Sequence, residues 1–441
     1  MNNSKKIKTR FPPSPTGPFH VGSARTALFN FLFARQNNGE CLLRIEDTDK
    51  ERSQVEYEKN ILDSLSWLGL SFDGEVLKSS LRIEIYKQKL KELIEKDKAY
   101  ISEEKEGANK EVIRFRNPGG NIIFQDLIRG EVVMDVGELG DFIIARNIDE
   151  PLYHLAVVSD DIDSGITHII RGEDLISSTP RQILLLEALG GKRPIYAHLP
   201  LLLGEDRSKL SKRKQGETVS LNFYRKEGYL PEVLVNFLAL LGWNPGDERE
   251  IFSMDELIKE FSLEKVQKSG AIFDVKKLDW MNSEYIKRKS LAELEELSKS
   301  FVADFADFVD FKSKFPKILE LEQPRLKKLS ELPEKIDYFF KKPEVSKKLL
   351  KWKNLSEEET KKSLEASMGI IKSLTEKEFK KEVLEKIFLD KAGEFKDRGE
   401  LLWPLRAALS GKKFSPGPFD IMAILGKEES QKRLDNALEN F

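Results

Sequence analysis

Hydrophobic and polar positions alternate in a way that divides the chain into two textures. The first reads as strands and helices in alternation. Ile7–Phe11 predicts a short strand, Val21–Gln36 a helix, and Glu40–Ile45 a second strand followed at once by Glu46, Asp47 and Asp49. Val55–Gly69 carries Ile61, Leu62, Leu65 and Leu68 at helical spacing, and Ser80–Lys98 predicts another amphipathic helix. From residue 112 the runs shorten to Val112–Phe115, Val132–Val136 and Phe142–Ala145, punctuated by Asn117, Gly119, Gly120, Gly137 and Gly140. That pattern predicts a small β-rich insertion. Tyr153–Val158 and Ile166–Arg171 then read as buried strands, Thr179–Gly190 as a helix and Ile195–Leu203 as a further strand. Alternating strands and helices, interrupted once, predict a doubly wound parallel sheet.

The second texture begins near Thr218, where helices take over. Leu230–Leu241 is strongly apolar, Ser253 is placed to cap Met254–Phe261, and lysine-rich amphipathic helices fill much of residues 291–441. The expected divisions are residues 1–98 and 152–217 for the two halves of an α/β domain, 99–151 for its insertion, 218–315 for a helical region and 316–441 for a second one.

Composition mainly excludes. A length of 441 residues calls for two or three domains. No apolar run approaches the ~20 residues of a membrane span. Met1–Lys8 lacks the apolar stretch of a secretory signal. Cys41 is the only cysteine, which excludes an internal disulfide and fits a reducing cytoplasm. His20, His154, His168 and His198 are too scattered to suggest a cluster. The net charge of −2 says nothing about nucleic acid, because phosphate binding needs only a local basic face.

Candidate chemistry lies in two loops. Phe11 to Gly22 holds Pro12, Pro13, Pro15 and Pro18 between a predicted strand and a predicted helix, which stiffens the connection. Gly22 would let a ligand approach the first helical turn, whose N–H groups favour an anion, and His20 is placed to donate to a phosphate oxygen. The second loop, Asp206–Lys214, follows an apolar strand and has five basic residues in the eight positions from Arg207. Flexible lysines there suit a polyphosphate whose charge shifts during reaction.

Pro-Ser-Pro-Thr-Gly…His-x-Gly at 13–22, with Lys-Leu-Ser-Lys-Arg at 209–213, resembles the two signatures of class I aminoacyl-tRNA synthetases. Arg44–Asp49, Tyr153–Ala156, Ile170–Asp174 and Ser178–Gln182 resemble the glutamyl/glutaminyl branch. Pro404–Gly411 and Ser415–Phe419 resemble the helical anticodon-binding region of bacterial glutamyl enzymes, against the β-barrels usual in glutaminyl ones. The resemblance spans essentially the whole chain.

It implies a Rossmann-type catalytic domain with an acceptor-binding insertion, then an all-α anticodon-binding region. The implied reaction activates L-glutamate with ATP and Mg²⁺ and loads it onto tRNA(Glu), with tRNA(Gln) left open as a second acceptor and a monomer as the expected state. Arg10 and Arg171 would hold the two substrate carboxylates, because a guanidinium fork matches a carboxylate. Glu46 would take the α-ammonium, and Ser14 and Tyr153 would orient the substrate. Pro13, His20, Gly22, Lys209, Ser211 and Lys212 would bind ATP. His20, Lys209 and Lys212 would stabilise the transition state. Ser23 stands where the general class I motif has a second histidine. No cysteine or histidine lies between Lys91 and Leu152, so no zinc is expected in the insertion. Lysines from Lys327 to Lys353, among Tyr338, Phe339, Phe340 and Trp352, suit an anticodon as a group, and Arg406 is a candidate reader.

Overall fold

A computed structural model describes residues 6–104, 111–210 and 216–441. The chain divides into two compact units, Met1–Met281 and Asn282–Phe441.

The first unit is built on parallel strands. β1 (Lys8–Phe11) pairs in parallel with β2 (Glu40–Ile45), which pairs with the short β3 (Leu77–Lys78). β9 (His168–Gly172) pairs in parallel with β10 (Ile195–Leu199). The two sets meet where the Thr167 amide donates to the Lys8 carbonyl at 2.9 Å. β1 therefore has β2 on one side and β9 on the other, and the carboxyl ends of strands at such a switch point open a crevice for ligands.

Helix α1 (Val21–Gln36) packs against this switch point. Most of it is buried, from Val21 to Ala34, so its apolar residues surround the axis instead of forming one stripe. Its buried polar groups are tied to the sheet. Asn30 Nδ2 donates to the Ile170 carbonyl at 3.0 Å, and Thr9 Oγ1 donates to the Asn30 carbonyl. Arg25 bonds to the carbonyls of Pro200 and Leu241, and burial lowers its pKa to about 10. The amphipathic helices α2 (Val55–Trp67) and α3 (Ile83–Glu95) follow β2 and β3 in the chain, as their spacing predicts.

Two expectations need correction here. Tyr153–Val158 is not a strand but the first part of helix α4 (Tyr153–Asp163), in which residues 155–161 are all buried. An apolar run buried on every side shows neither the helical nor the strand period, so periodicity alone does not decide it. Ile195–Leu203 is two strands, because Pro200 follows β10 before β11 (Leu202–Leu203) turns away to pair with β12 (Ala271–Ile272).

The insertion divides between two sheets. β4 (Ala99–Glu103), β5 (Glu111–Phe115) and β8 (Phe142–Ala145) form an antiparallel sheet of their own. The hairpin β6 (Asn121–Asp126) and β7 (Gly130–Asp135) instead extends the parallel sheet, with Asp126 opposite Tyr196 of β10. β6 alternates exposed and buried positions along its whole length, burying Ile122, Phe124 and Asp126.

The second unit is helical throughout its described regular structure. Ser290 with Glu293, and Ser356 with Glu359, form capping boxes that satisfy otherwise orphaned amides at two helix starts. Its core includes Leu364, Ile371, Leu405, Leu409, Ile421 and Leu434. Tyr338 and Phe339 are 2% and 3% exposed, so they pack in that core and are not platforms for bases. Arg406 lies over the Trp403 ring, 4.6 Å from its centroid, and donates to Ser415 Oγ and the Lys413 carbonyl. No described helix is long and apolar enough to cross a membrane.

Candidate active site

The chemistry collects at the carboxyl ends of β1, β2, β9 and β10. The proline loop leaving β1 is pinned rather than free. The Glu46 amide donates to the Pro13 carbonyl and the Gln54 amide to the Pro15 carbonyl, both at 3.0 Å. Pro13 is buried, whereas Ser14 is exposed.

His20 is the N-cap of α1. Its Nδ1 accepts from the Ser23 amide at 3.1 Å, and Ser23 Oγ lies 3.1 Å from Nε2. Ser23 thus shapes the one histidine of the motif. A Cβ at Gly22 would stand 3.1 Å from His20 Nδ1 and 3.2 Å from Cε1. Gly22 makes room for the folded-back imidazole, a reason closer to home than ligand approach. Part of the ring is open to solvent, yet the packed surroundings lower its pKa; nearby Lys209 lowers it further, against Asp174.

The two signature loops adjoin. His20 bridges Ser220 in antiparallel fashion, and the Leu221 amide donates to the Phe19 carbonyl at 3.0 Å. Leu203 pairs with Lys209 across a tight turn that puts Arg207 at φ 59°. Lys209 Nζ reaches Asp174 Oδ2 at 3.1 Å. Ser211 and Lys212, with Arg213, lie outside the described residues.

Two arginine clusters face this region. In the first, Arg10 is held by Asp161, with Nε 3.2 Å from Oδ1. Arg44 reaches the same Asp161 oxygen at 2.7 Å and Glu46 Oε1 at 3.1 Å. Asp160 takes bonds from Arg82 at 2.7 Å and from the Tyr86 hydroxyl at 2.7 Å. Burial works against the charge of Asp161, but Arg10 and Arg44 outweigh it and lower its pKa. Glu46 goes the other way, since burial raises its pKa despite Arg44. Arg10 Nη1 is buried and has no hydrogen-bond partner among the described residues.

The second cluster surrounds Arg171. Its Nε donates to His198 Nε2 at 3.2 Å, Nη1 to Gln182 Oε1 at 2.6 Å and Nη2 to Thr179 Oγ1 at 2.7 Å. All three partners are neutral. Burial lowers the Arg171 pKa, and Arg10 across the strand boundary adds repulsion. Three of the guanidinium's five N–H groups are thereby engaged, leaving two for a ligand. Tyr153 borders both clusters. The residue is 39% exposed, but packing around its hydroxyl pushes the pKa up to about 12, with the fields of Glu46, Arg171, Arg10 and Arg44 also reaching it.

Sequence reasoning missed Asp160, Asp161, Asp126 and His198. His198 is not an isolated histidine, because its ring joins Arg171 to Asp126. The pair Asp160-Asp161 carried no visible signal, since it stood just past Tyr153–Val158, a segment read as a strand. Among the described residues no group of three or more His, Cys, Asp or Glu side chains is arranged to hold a metal ion.

Known proteins resemble the whole chain. Residues 6–111 and 101–280 match the family of class I tRNA synthetases (E and Q), catalytic domain, and residues 287–438 match an anticodon binding domain. A glutamate–tRNA ligase of Carboxydothermus hydrogenoformans is 40% identical over 98% of this chain and 99% of that one. One of Aquifex aeolicus is 41% identical over 99% of each. The crystal structure of a glutamate tRNA ligase from Elizabethkingia meningosepticum, in complex with its amino acid, superposes with a TM-score of 0.87 at 33% identity, covering 99% of both chains.

Proposed function

Because the chain belongs to the glutamate–tRNA ligases of the class I synthetases, we propose that Arg171 selects its amino acid and that the residues around it divide the remaining work. The reaction has two steps. A carboxylate oxygen of glutamate attacks the α-phosphorus of ATP, and pyrophosphate leaves. The terminal ribose of tRNA(Glu) then attacks the resulting mixed anhydride and releases AMP. Neither step needs a protein nucleophile, so catalysis rests on positioning and on charges set in advance.

One observation carries the assignment. Arg171 is 4% exposed and hydrogen-bonds only neutral groups, so it is a desolvated cation whose best partner is an incoming carboxylate. Glutamine is neutral where glutamate is charged, and would leave the guanidinium unmatched. Arg10, with its unbonded Nη1, takes the other carboxylate. Glu46 accepts from the α-ammonium, which restores the charge that burial disfavours. Ser14 and Tyr153 fix the orientation. Pro13, His20, Gly22, Lys209, Ser211 and Lys212 would bind the nucleotide, and Mg²⁺ would offset the charge of its phosphates. A lowered pKa keeps His20 neutral near pH 7, so it acts as a hydrogen-bond donor rather than a cation. Substituting Arg171→Ala should abolish the preference for glutamate over glutamine in aminoacylation. Retained discrimination with a near-normal kcat/KM for glutamate would refute the assignment. Assaying purified tRNA(Glu) and tRNA(Gln) separately decides whether one acceptor or two are charged.

A further inference from the structure

The Arg171 cluster continues into the insertion. His198 sits in β10 with no exposed surface, and its Nδ1 is 2.6 Å from Asp126 Oδ2. Asp126 ends β6. It also accepts the His198 amide at 3.0 Å, the Ile128 amide at 2.9 Å and the Arg129 amide at 2.8 Å. Four donors on one carboxylate stabilise its ionised form, and its pKa is lowered against the effect of burial. An ionised carboxylate at that distance requires a proton on His198 Nδ1. Nε2 is then an acceptor, and it meets the Arg171 Nε donor at 3.2 Å; the Thr179 hydroxyl, which also donates to the Leu175 carbonyl, lies 3.1 Å away. The charged groups around the ring are Asp126, Arg171 and Arg129, and the rings of Tyr196 and Phe124 cover it.

This arrangement resolves a conflict. A carboxylate bonded directly to Arg171 would neutralise it, as Asp161 does for Arg10. An imidazolium would repel it. A neutral imidazole with its second nitrogen bare holds the guanidinium in place and leaves its charge intact.

We propose that Asp126 and His198 are positioning residues for Arg171, with the carboxylate fixing the imidazole tautomer that orients the guanidinium toward the substrate's side-chain carboxylate. The proposal rests on the reading that Arg171 receives that carboxylate. It also gives the β6–β7 hairpin a part in amino-acid recognition although it contributes no ligand.

The test uses the full chain in aminoacylation with tRNA(Glu), comparing His198→Gln, His198→Asn, Asp126→Asn and Arg171→Ala. The glutamine amide reaches the place of Nε2 and keeps an acceptor for Arg171, whereas the asparagine amide reaches only the place of Nδ1. His198→Asn and Asp126→Asn should raise the KM for glutamate about 10- to 100-fold, and His198→Gln should recover most of that loss. The KM for ATP should stay unchanged in all of them. Equal KM values for glutamate in His198→Asn and the parent, or a parallel rise in the KM for ATP, would overturn the proposal. If Arg171→Ala is defective and the His198 variants are not, only the positioning role fails. If Arg171→Ala keeps its glutamate KM, the reading beneath it fails as well. The tautomer can also be read directly on the unsubstituted enzyme, with the His198→Gln variant serving only to assign the signal. With ¹⁵N-histidine, long-range ¹H–¹⁵N correlation should show one buried ring protonated at Nδ1 alone, absent from the His198→Gln spectrum. An Nε2–H tautomer or an imidazolium at that position would overturn the proposal.

Discussion

Arg10 and Arg171 stand near the ends of neighbouring strands, 2% and 4% exposed, and differ in what surrounds them. Arg10 shares Asp161 with Arg44, inside a lattice that also takes in Glu46 and Asp160. Arg171 has a histidine, a glutamine and a threonine. A charge-matched arginine offers a substrate its remaining N–H, here Nη1 of Arg10, more than its charge, since its partner cancels most of that. A neutral-partnered one leaves the empty enzyme with an uncompensated charge and returns that cost when an anion binds. Burial of a guanidinium therefore does not by itself mark the residue that selects a substrate by charge; the charge of its partners does.

The contrast is most easily broken at Arg171. The Arg171→Ala enzyme should lose at least about 10²-fold in kcat/KM for glutamate, the equivalent of ~3 kcal/mol, while its denaturant midpoint stays level or rises. A large loss of stability instead would make Arg171 part of the scaffold. Asp161→Asn should do the reverse, lowering stability by about 3 kcal/mol in urea denaturation because two buried guanidiniums lose their shared anion.

Acid should separate the clusters as well. Burial holds the His154 pKa down to about 4, with Arg181 and Arg171 contributing, and lowers that of His198. The unfolded chain then takes up these protons first, near 6.5. Stability is complete above that pH and declines from 6.5 toward 4, by up to about 3 kcal/mol for His154. Asp161 is lowered below its ordinary 3.8, so its contribution persists above that value and fails only below it. The Arg171 side should loosen first, and His154→Gln should flatten the decline between pH 6.5 and 4 in denaturation midpoints. The smallest effect is expected outside both clusters. Gly22→Ala crowds the His20 ring and should reduce kcat roughly 5- to 10-fold, the size of a lost helix cap, with the glutamate KM unchanged.

What could be read from the chain follows the range of the forces involved. Val21–Gln36 and Glu40–Ile45 were expected with the ends they have, because capping and period are local. Glu46 and Arg171 stood out because they belong to recognisable short stretches, and Arg10 because it lies near the end of the first predicted strand. β6 escaped notice since Gly119 and Gly120 drew the eye to a turn, although Asn121–Asp126 alternates cleanly. Asp126 and His198 are 72 residues apart, and Arg10 and Asp161 are 151 apart. Nothing in a local window distinguishes such partners from any other aspartate or histidine. Of the neutral company of Arg171, Thr179 and Gln182 lie only 8 and 11 residues on, yet no period ties their side chains to the arginine, and His198 is 27 away.

The placement of β1 between β2 and β9 also bears on how the chain is made. During synthesis β1 and β2 can pair early, but the other edge of β1 stays open until residues 167–172 leave the ribosome. At 5–20 residues per second that interval is on the order of 10 s. For nearly all of it Arg10 lacks Asp161, and the nascent chain presents a bare strand edge beside an unmatched cation. Translation of α4 is the moment at which the half-built sheet receives the carboxylate that makes its interior electrically tolerable.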